Sequence, residues 1–136
     1  MEFFQRLEEL FNTKKYMLSF AEGLKITFII AFSALAIGLV LGVIVSLIKI
    51  SATRSKKMKF AAFLCDVYVM VIRGTPMALQ LFIMAFAVFA IRGFPLTVTA
   101  IITFGINSGA YISENIRAGI QSVDAVSYTH LRAHET

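Results

Sequence analysis

Charge is scarce in this chain: of 136 residues, 15% are Asp, Glu, Lys or Arg and 58% are hydrophobic. A soluble domain of this length has no use for three largely apolar stretches of membrane length, so the composition sets the class as integral membrane protein. There is one cysteine, Cys65, which can form no intrachain disulfide and reports no redox compartment. The two histidines, His130 and His134, stand at i, i+4 near the carboxyl end, a spacing that suits a metal on a helix but lies outside the apolar body. No P-loop, no Cys/His ligand cluster and no Ser-His-Asp set occurs in that body. The chain therefore reads as a non-enzyme with no cofactor and no metal.

What is present is organised around Phe60–Ile91, apolar enough for lipid yet carrying Asp66, Arg73 and the break Arg73-Gly74-Thr75-Pro76. Phe60–Ile72 gives about 20 Å of helix and Met77–Ile91 about 22 Å, each short of a hydrocarbon core of roughly 30 Å. Joined, they are expected to make one long crossing bent at its middle. Pro76 removes the hydrogen bond that the Ile72 carbonyl would accept, and Gly74 permits close backbone approach. A charge at such a bend faces protein or water rather than lipid. Arg73 is thus either a structural cation tying the bend to a neighbouring helix or a member of a translocation path.

Residues 1–23 form an amphipathic interfacial segment, with Phe3, Phe4, Leu7, Leu10 and Phe11 on one stripe and a break expected at Asn12–Lys15. The acidic start and the late, long apolar run do not fit a cleaved signal peptide. The first span, Ile26–Ile48, carries no charge. Ala34, Gly38, Gly42 and Ser46 recur every four residues, a face suited to close helix packing. Lys49, Arg54, Lys56, Lys57 and Lys59 then crowd the 49–59 loop with no acidic residue among them. By the positive-inside rule this loop is cytoplasmic and the amino terminus outside, and a short loop between spans is a poor nucleic-acid site. Asp66, nearer that loop, is expected to pair with Lys59 or to be solvated.

After a tight outer connection over Ile91–Leu96, the third span, Phe94–Ile116, returns inward with polar groups at Thr97, Thr99, Thr103, Asn107, Ser108, Ser113 and Glu114. Asn107, Tyr111 and Glu114 fall on one helical face, and Gly105 and Gly109 offer another smooth flank. Such a stripe points to a cavity, a substrate path or an interhelical network, with Arg73, Asn107, Tyr111 and Glu114 as path candidates. Glu114 can also pair with Arg117 three residues on, whereas a Glu114–Arg73 contact is disfavoured by depth. The string VSYTHLRAHET departs abruptly in composition and looks like a translated library adapter, so residues 125–136 are read as a non-native tail.

The order GLKIT…GLVLGVIVSLIKIS, YVMVIRGTPMALQLF and INSGAYISENIRAGIQSVD resembles the amino-terminal half of a polar-amino-acid ABC importer permease, the group handling glutamine, glutamate, arginine and histidine. The resemblance covers nearly all of Leu18–Asp124, and its most specific pieces are Arg73–Pro76 and Ser108–Gly119. It implies an all-α fold, three helices of a truncated five-helix type I importer core, with residues 24–124 as a partial permease domain. It also implies a bacterial plasma-membrane location. The partners it implies are a second permease, identical or different, two cytoplasmic ATPase subunits, an extracytoplasmic amino-acid-binding protein and the bilayer. In that family a Gly-Gln and Glu-Ala-Ala loop that docks on the ATPase, and two more helices, follow the position of Asp124. A small three-span scaffold subunit is the alternative; it explains the small-residue faces but not the coincidence of the two specific segments.

Overall fold

The computed structural model describes residues 1–90 and 93–135, the side chains of 124–129 and 135 excepted. Helix α1 (Glu2–Asn12) is followed at Thr13 by α2 (Lys14–Ser51), then α3 (Met58–Gly74), α4 (Met77–Ile83) and α5 (Leu96–Glu135), with no strand among the described residues. The break after α1 falls inside the expected Asn12–Lys15 window. It comes where Thr13 leaves the helix with φ −87° and ψ 114° and turns its hydroxyl back onto the Glu9 carbonyl at 2.8 Å. Helix α2 runs unbroken for 38 residues, about 57 Å at 1.5 Å per residue, so residues 14–25 belong to the same helix as the first span.

Two helices are individually long and apolar enough to cross a membrane, Lys14–Ser51 and Leu96–Val123. Met58–Gly74 and Met77–Val88 pass the same test only jointly, and they meet at 107°. The expected crossing in which both halves add their lengths is corrected by that angle: past a right angle, the second half adds no depth along the axis of the first. The cause is local. Thr75 (φ −114°, ψ 144°) and Pro76 (φ −61°, ψ 136°) are both extended, because proline forbids the helical conformation to the residue before it and offers no N–H itself. Helix α4 then widens into a π turn at Met84–Val88, closed by the Phe89 N–H donating to the Met84 carbonyl at 2.9 Å. In the outer connection, Ile91 and Arg92 lie outside the described residues; Gly93 has φ +65°, a conformation side chains resist.

The body is held by α2 against α5. Gly38 lies where a Cβ would be 2.6 Å from Ser108 Cβ, and Gly42 where one would be 2.5 Å from Ile112 Cγ2. Gly105 in turn faces Ile37, and Gly109 faces Leu41 and the Tyr68 hydroxyl. Numbers rise together on both helices, so α2 and α5 run parallel. Ala34, Gly38, Gly42 and Ser46 are buried along this seam, as are Gly105 and Gly109. In lipid, such backbone proximity supplies dispersion contacts where no hydrophobic drive between helices exists. Val45, Val69 and Ala110 form the small core where α3 joins, flanked by Cys65, Tyr68 and Ile72.

Several polar residues of α5 are absorbed by this packing. Thr99, Thr103 and Ser113 are almost wholly buried, and within or just before their own helix the Thr99 hydroxyl donates to the Pro95 carbonyl, the Thr103 hydroxyl to that of Thr99 and the Ser113 hydroxyl to that of Ala110. A hydroxyl satisfied in this way behaves as a small packing group and offers no free donor to a ligand. Elsewhere the surface is apolar: Phe28, Phe32, Leu39, Val40, Leu47, Phe63 and Phe82 all stand exposed. That is the surface expected of helices solvated by lipid.

Candidate functional site

The break in the second crossing leaves carbonyl groups without helical donors, and in a bilayer each such group costs several kcal/mol. Two side chains repair the damage. The Thr75 hydroxyl donates to the Val71 carbonyl at 2.8 Å. The Gln80 amide Nε2 reaches the Ile72 carbonyl at 2.7 Å, the acceptor that Pro76 leaves without a donor, and also Thr75 Oγ1 at 2.7 Å and the Thr75 carbonyl at 3.1 Å. The other end of the same amide is held from α5, where Asn107 Nδ2 donates to Gln80 Oε1 at 3.1 Å. Below the bend, the Tyr68 hydroxyl donates to the Ile106 carbonyl, a second polar tie from this span to α5. An apolar cleft of about 220 Å³ opens inside the bend, with Ile72, Leu79, Ile83, Met84 and Ile106 on its walls.

Arg73, the residue before Gly74, is exposed, and its guanidinium carbon stands 5.3 Å from the centroid of the Tyr111 ring. Tyr111 is itself 46% exposed. A cation over an aromatic face gains electrostatic attraction from the ring quadrupole, which partly offsets loss of water. Arg73 and Tyr111 thus make an exposed polar patch on a surface otherwise built for lipid.

The four path candidates from the sequence therefore separate. Arg73 and Tyr111 come together. Asn107, half-buried, is committed to Gln80. Glu114 lies in a different cluster at the far end of the bundle, where Lys49 Nζ sits 2.5 Å from Glu114 Oε1 and 2.8 Å from Asp66 Oδ1. Arg117 completes the group through a 2.9 Å bond to Glu114 Oε2, the i, i+3 pairing read from the sequence. Asp66 does not take Lys59 as its partner. Lys59 precedes it by two helical turns on the same helix, about 10 Å of rise, while Lys49 arrives from α2 between α3 and α5. A polar cleft of about 450 Å³ lies beside this group, with Thr53 and Gln121 on its walls.

Gln80 and Tyr68 are the residues that the sequence does not single out, and Lys49, expected in the basic loop, is instead part of α2 and of this ion-pair cluster. Gln80 had a usable signal: it is the lone amide in an apolar stretch and begins one turn after Pro76. The partners of Tyr68 and Lys49 depend on helix register, which the sequence does not display.

No family model matches the chain. Individual relatives do. It is 42% identical over 105 residues to the arginine transport system permease protein ArtQ of Bacillus subtilis (strain 168), covering 76% of this chain and 46% of that one. It is 40% identical over 119 residues to a putative glutamine transport system permease protein GlnP of Rickettsia bellii (strain RML369-C), covering 86% and 52%. A solved structure described as a crystal structure of an amino acid ABC transporter with histidines superposes with a TM-score of 0.72 at 34% identity, over 88% of this chain and 54% of that one. Over most of its length the chain is similar to amino-acid ABC transporter permeases. It spans about half the length of the curated relatives it matches. Set beside these relatives, the α2–α5 seam, the broken span and the exposed Arg73–Tyr111 patch are features of a multi-pass membrane protein whose relatives are transport subunits.

Proposed function

We propose that this chain supplies part of the translocation path of an ATP-driven importer of polar amino acids, as an integral-membrane permease subunit. The observation that carries the reading is the Arg73–Tyr111 patch at the break of the second crossing. A guanidinium held at membrane depth needs water or a partner charge, and the α-carboxylate of an amino acid is complementary to it in charge and in bidentate geometry. The names of the relatives, which include arginine, glutamine and L-cystine transport permeases, support an amino-acid substrate. In this reading a second permease faces the patch across the path, cytoplasmic ATPase subunits drive it, and an extracytoplasmic binding protein delivers substrate. The amino terminus lies outside and the 49–59 loop inside. Transport proceeds by alternating access, with the path open to one side at a time.

The test is ATP-dependent uptake of labelled arginine, glutamine and cystine into proteoliposomes holding the intact permease with its ATPase and binding protein. Uptake of at least one of them, reduced roughly tenfold or more by Arg73→Ala, is the expected result; one lost charged hydrogen-bonding pair accounts for that factor. Absence of uptake of any polar amino acid by the wild-type assembly overturns the reading. Unchanged uptake with Arg73→Ala removes Arg73 from the path.

A further inference from the structure

The Gln80 side chain has two ends and uses both on structure. Its Nε2 faces three acceptors at the break, the carbonyls of Ile72 and Thr75 and the Thr75 hydroxyl oxygen, so the orientation of the amide is fixed by chemistry: only nitrogen can point there. Its Oε1 then faces Asn107 on α5. No other single side chain joins the bend to a neighbouring helix through hydrogen bonds at both of its ends among the described residues. Arg73 precedes the break by one residue on α3, and Tyr111 follows Asn107 by one turn on α5. The position of Arg73 over Tyr111 is therefore set by the same two helices that Gln80 ties.

We propose that Gln80 is a positioning residue for the path: its amide replaces the hydrogen bond that Pro76 withholds from Ile72 and, through Asn107, fixes the bend so that Arg73 sits over Tyr111. The bend itself does not depend on the transport reading; the effect on the path rests on it. A proline break without such a donor would leave the Ile72 carbonyl free to seek another partner, and the angle between α3 and α4 would spread over several values.

Glutamate at this position makes the claim testable with a proton. An ionised carboxylate accepts only, so it would face the Ile72 and Thr75 carbonyls with nothing to donate. A protonated one donates its O–H to Ile72 and keeps a carbonyl oxygen for Asn107. The cleft walls beside Gln80, among them Val71, Ile72, Leu79, Thr103 and Ile106, carry no titratable group. On the helices packed against it, the ionisable side chains around the bend are Tyr68 and Arg73 on α3 and Tyr111 on α5, and none of them is a carboxylate. Asp66 and Glu114 stand in the separate Lys49 cluster.

Two spin labels placed on the exposed positions Met70 and Phe86, in a Cys65→Ser background of the full chain in nanodiscs, read the bend by pulsed dipolar spectroscopy. The wild-type pair is expected to give one narrow distance distribution, unchanged between pH 5 and pH 8. Gln80→Leu is expected to broaden it at both pH values, and Gln80→Glu to broaden it at pH 8 and restore it at pH 5. A narrow, wild-type distribution for Gln80→Leu overturns the proposal. So does a Gln80→Glu distribution that ignores pH, which also decides the matter if Gln80→Leu fails to fold. In the assembled importer, the same pH-dependent recovery is expected in uptake by Gln80→Glu, at least tenfold between pH 8 and pH 5 relative to wild type. If the wild-type assembly transports nothing while the spectroscopic pattern holds, the transport reading fails and the bend assignment stands.

Discussion

Lys49 Nζ and Glu114 Oε1 lie 2.5 Å apart although 65 residues separate them in sequence, and the contact joins the carboxyl end of α2 to the middle of the parallel helix α5. The Lys49 and Glu114 side chains are only 11% and 17% exposed, whereas Asp66, the second carboxylate on the same ammonium, is 61% exposed. Water therefore screens one arm of the cluster and not the other.

The three acidic and basic substitutions should consequently rank in cost. Lys49→Met takes the shared ammonium from two carboxylates and leaves the largely buried Glu114 with Arg117 alone, and we expect it to lower stability by about 2–4 kcal/mol, toward the range of breaking a buried pair. Glu114→Gln should cost somewhat less, since Arg117 is partly solvent-exposed, and Asp66→Asn about 0–1 kcal/mol as a surface pair. SDS-driven unfolding in mixed micelles gives the order. A loss for Asp66→Asn as large as that for Lys49→Met contradicts it.

The glycines divide in the same way by what surrounds them. At Gly42 a methyl group would meet Ile112 Cγ2 at 2.5 Å and the Ser113 amide nitrogen at 3.2 Å, and backbone cannot yield as a side-chain tip does. Gly42→Ala and Gly38→Ala are expected to destabilise by about 1–3 kcal/mol, the usual cost of overpacking. Gly23 and Gly119 have nothing within 4 Å of the added methyl group, so alanine there should be neutral or stabilising by up to about 1 kcal/mol through helix propensity alone. Thermal unfolding of the four variants side by side checks the contrast, and equal effects at all four positions refute the close approach of α2 to α5.

For the exposed patch, the ring face matters more than the phenol. Tyr111→Phe should retain amino-acid uptake within about threefold, whereas Tyr111→Leu removes the quadrupole beneath Arg73 and should raise the apparent KM by about three- to thirtyfold, matching roughly 0.5–2 kcal/mol for a cation–π contact. Initial-rate uptake in the assembled importer measures both. If Phe and Leu behave alike, the Arg73–Tyr111 stacking has no part in transport.

How far the sequence led depended on whether a feature was local. The break at Gly74–Pro76 was readable because proline acts on its own backbone, and the Glu114–Arg117 pair because three residues on a helix fix a separation. The depth reached by the second crossing is not legible, since extended backbone at Thr75 and Pro76 turns the chain through 107°, an angle no residue count contains. Asp66 found Lys49 instead of Lys59 for a related reason: the choice among five basic residues was made by how α2 lies between two other helices. Gln80 was overlooked because its neighbours suggested lipid, while the clue lay in what Pro76 failed to donate. The face shared by Asn107, Tyr111 and Glu114 was legible, but three residues on one face meet three different neighbours when the helix beside them bends away.

The parallel course of α2 and α5 has a consequence for biogenesis. Gly38 and Gly42 find Ser108 and Ile112 only after the intervening hairpin has been synthesised and threaded. Until α5 emerges from the ribosome the first span offers lipid a shallow glycine groove, and Lys49 has Asp66 of the newly made hairpin for company but not Glu114.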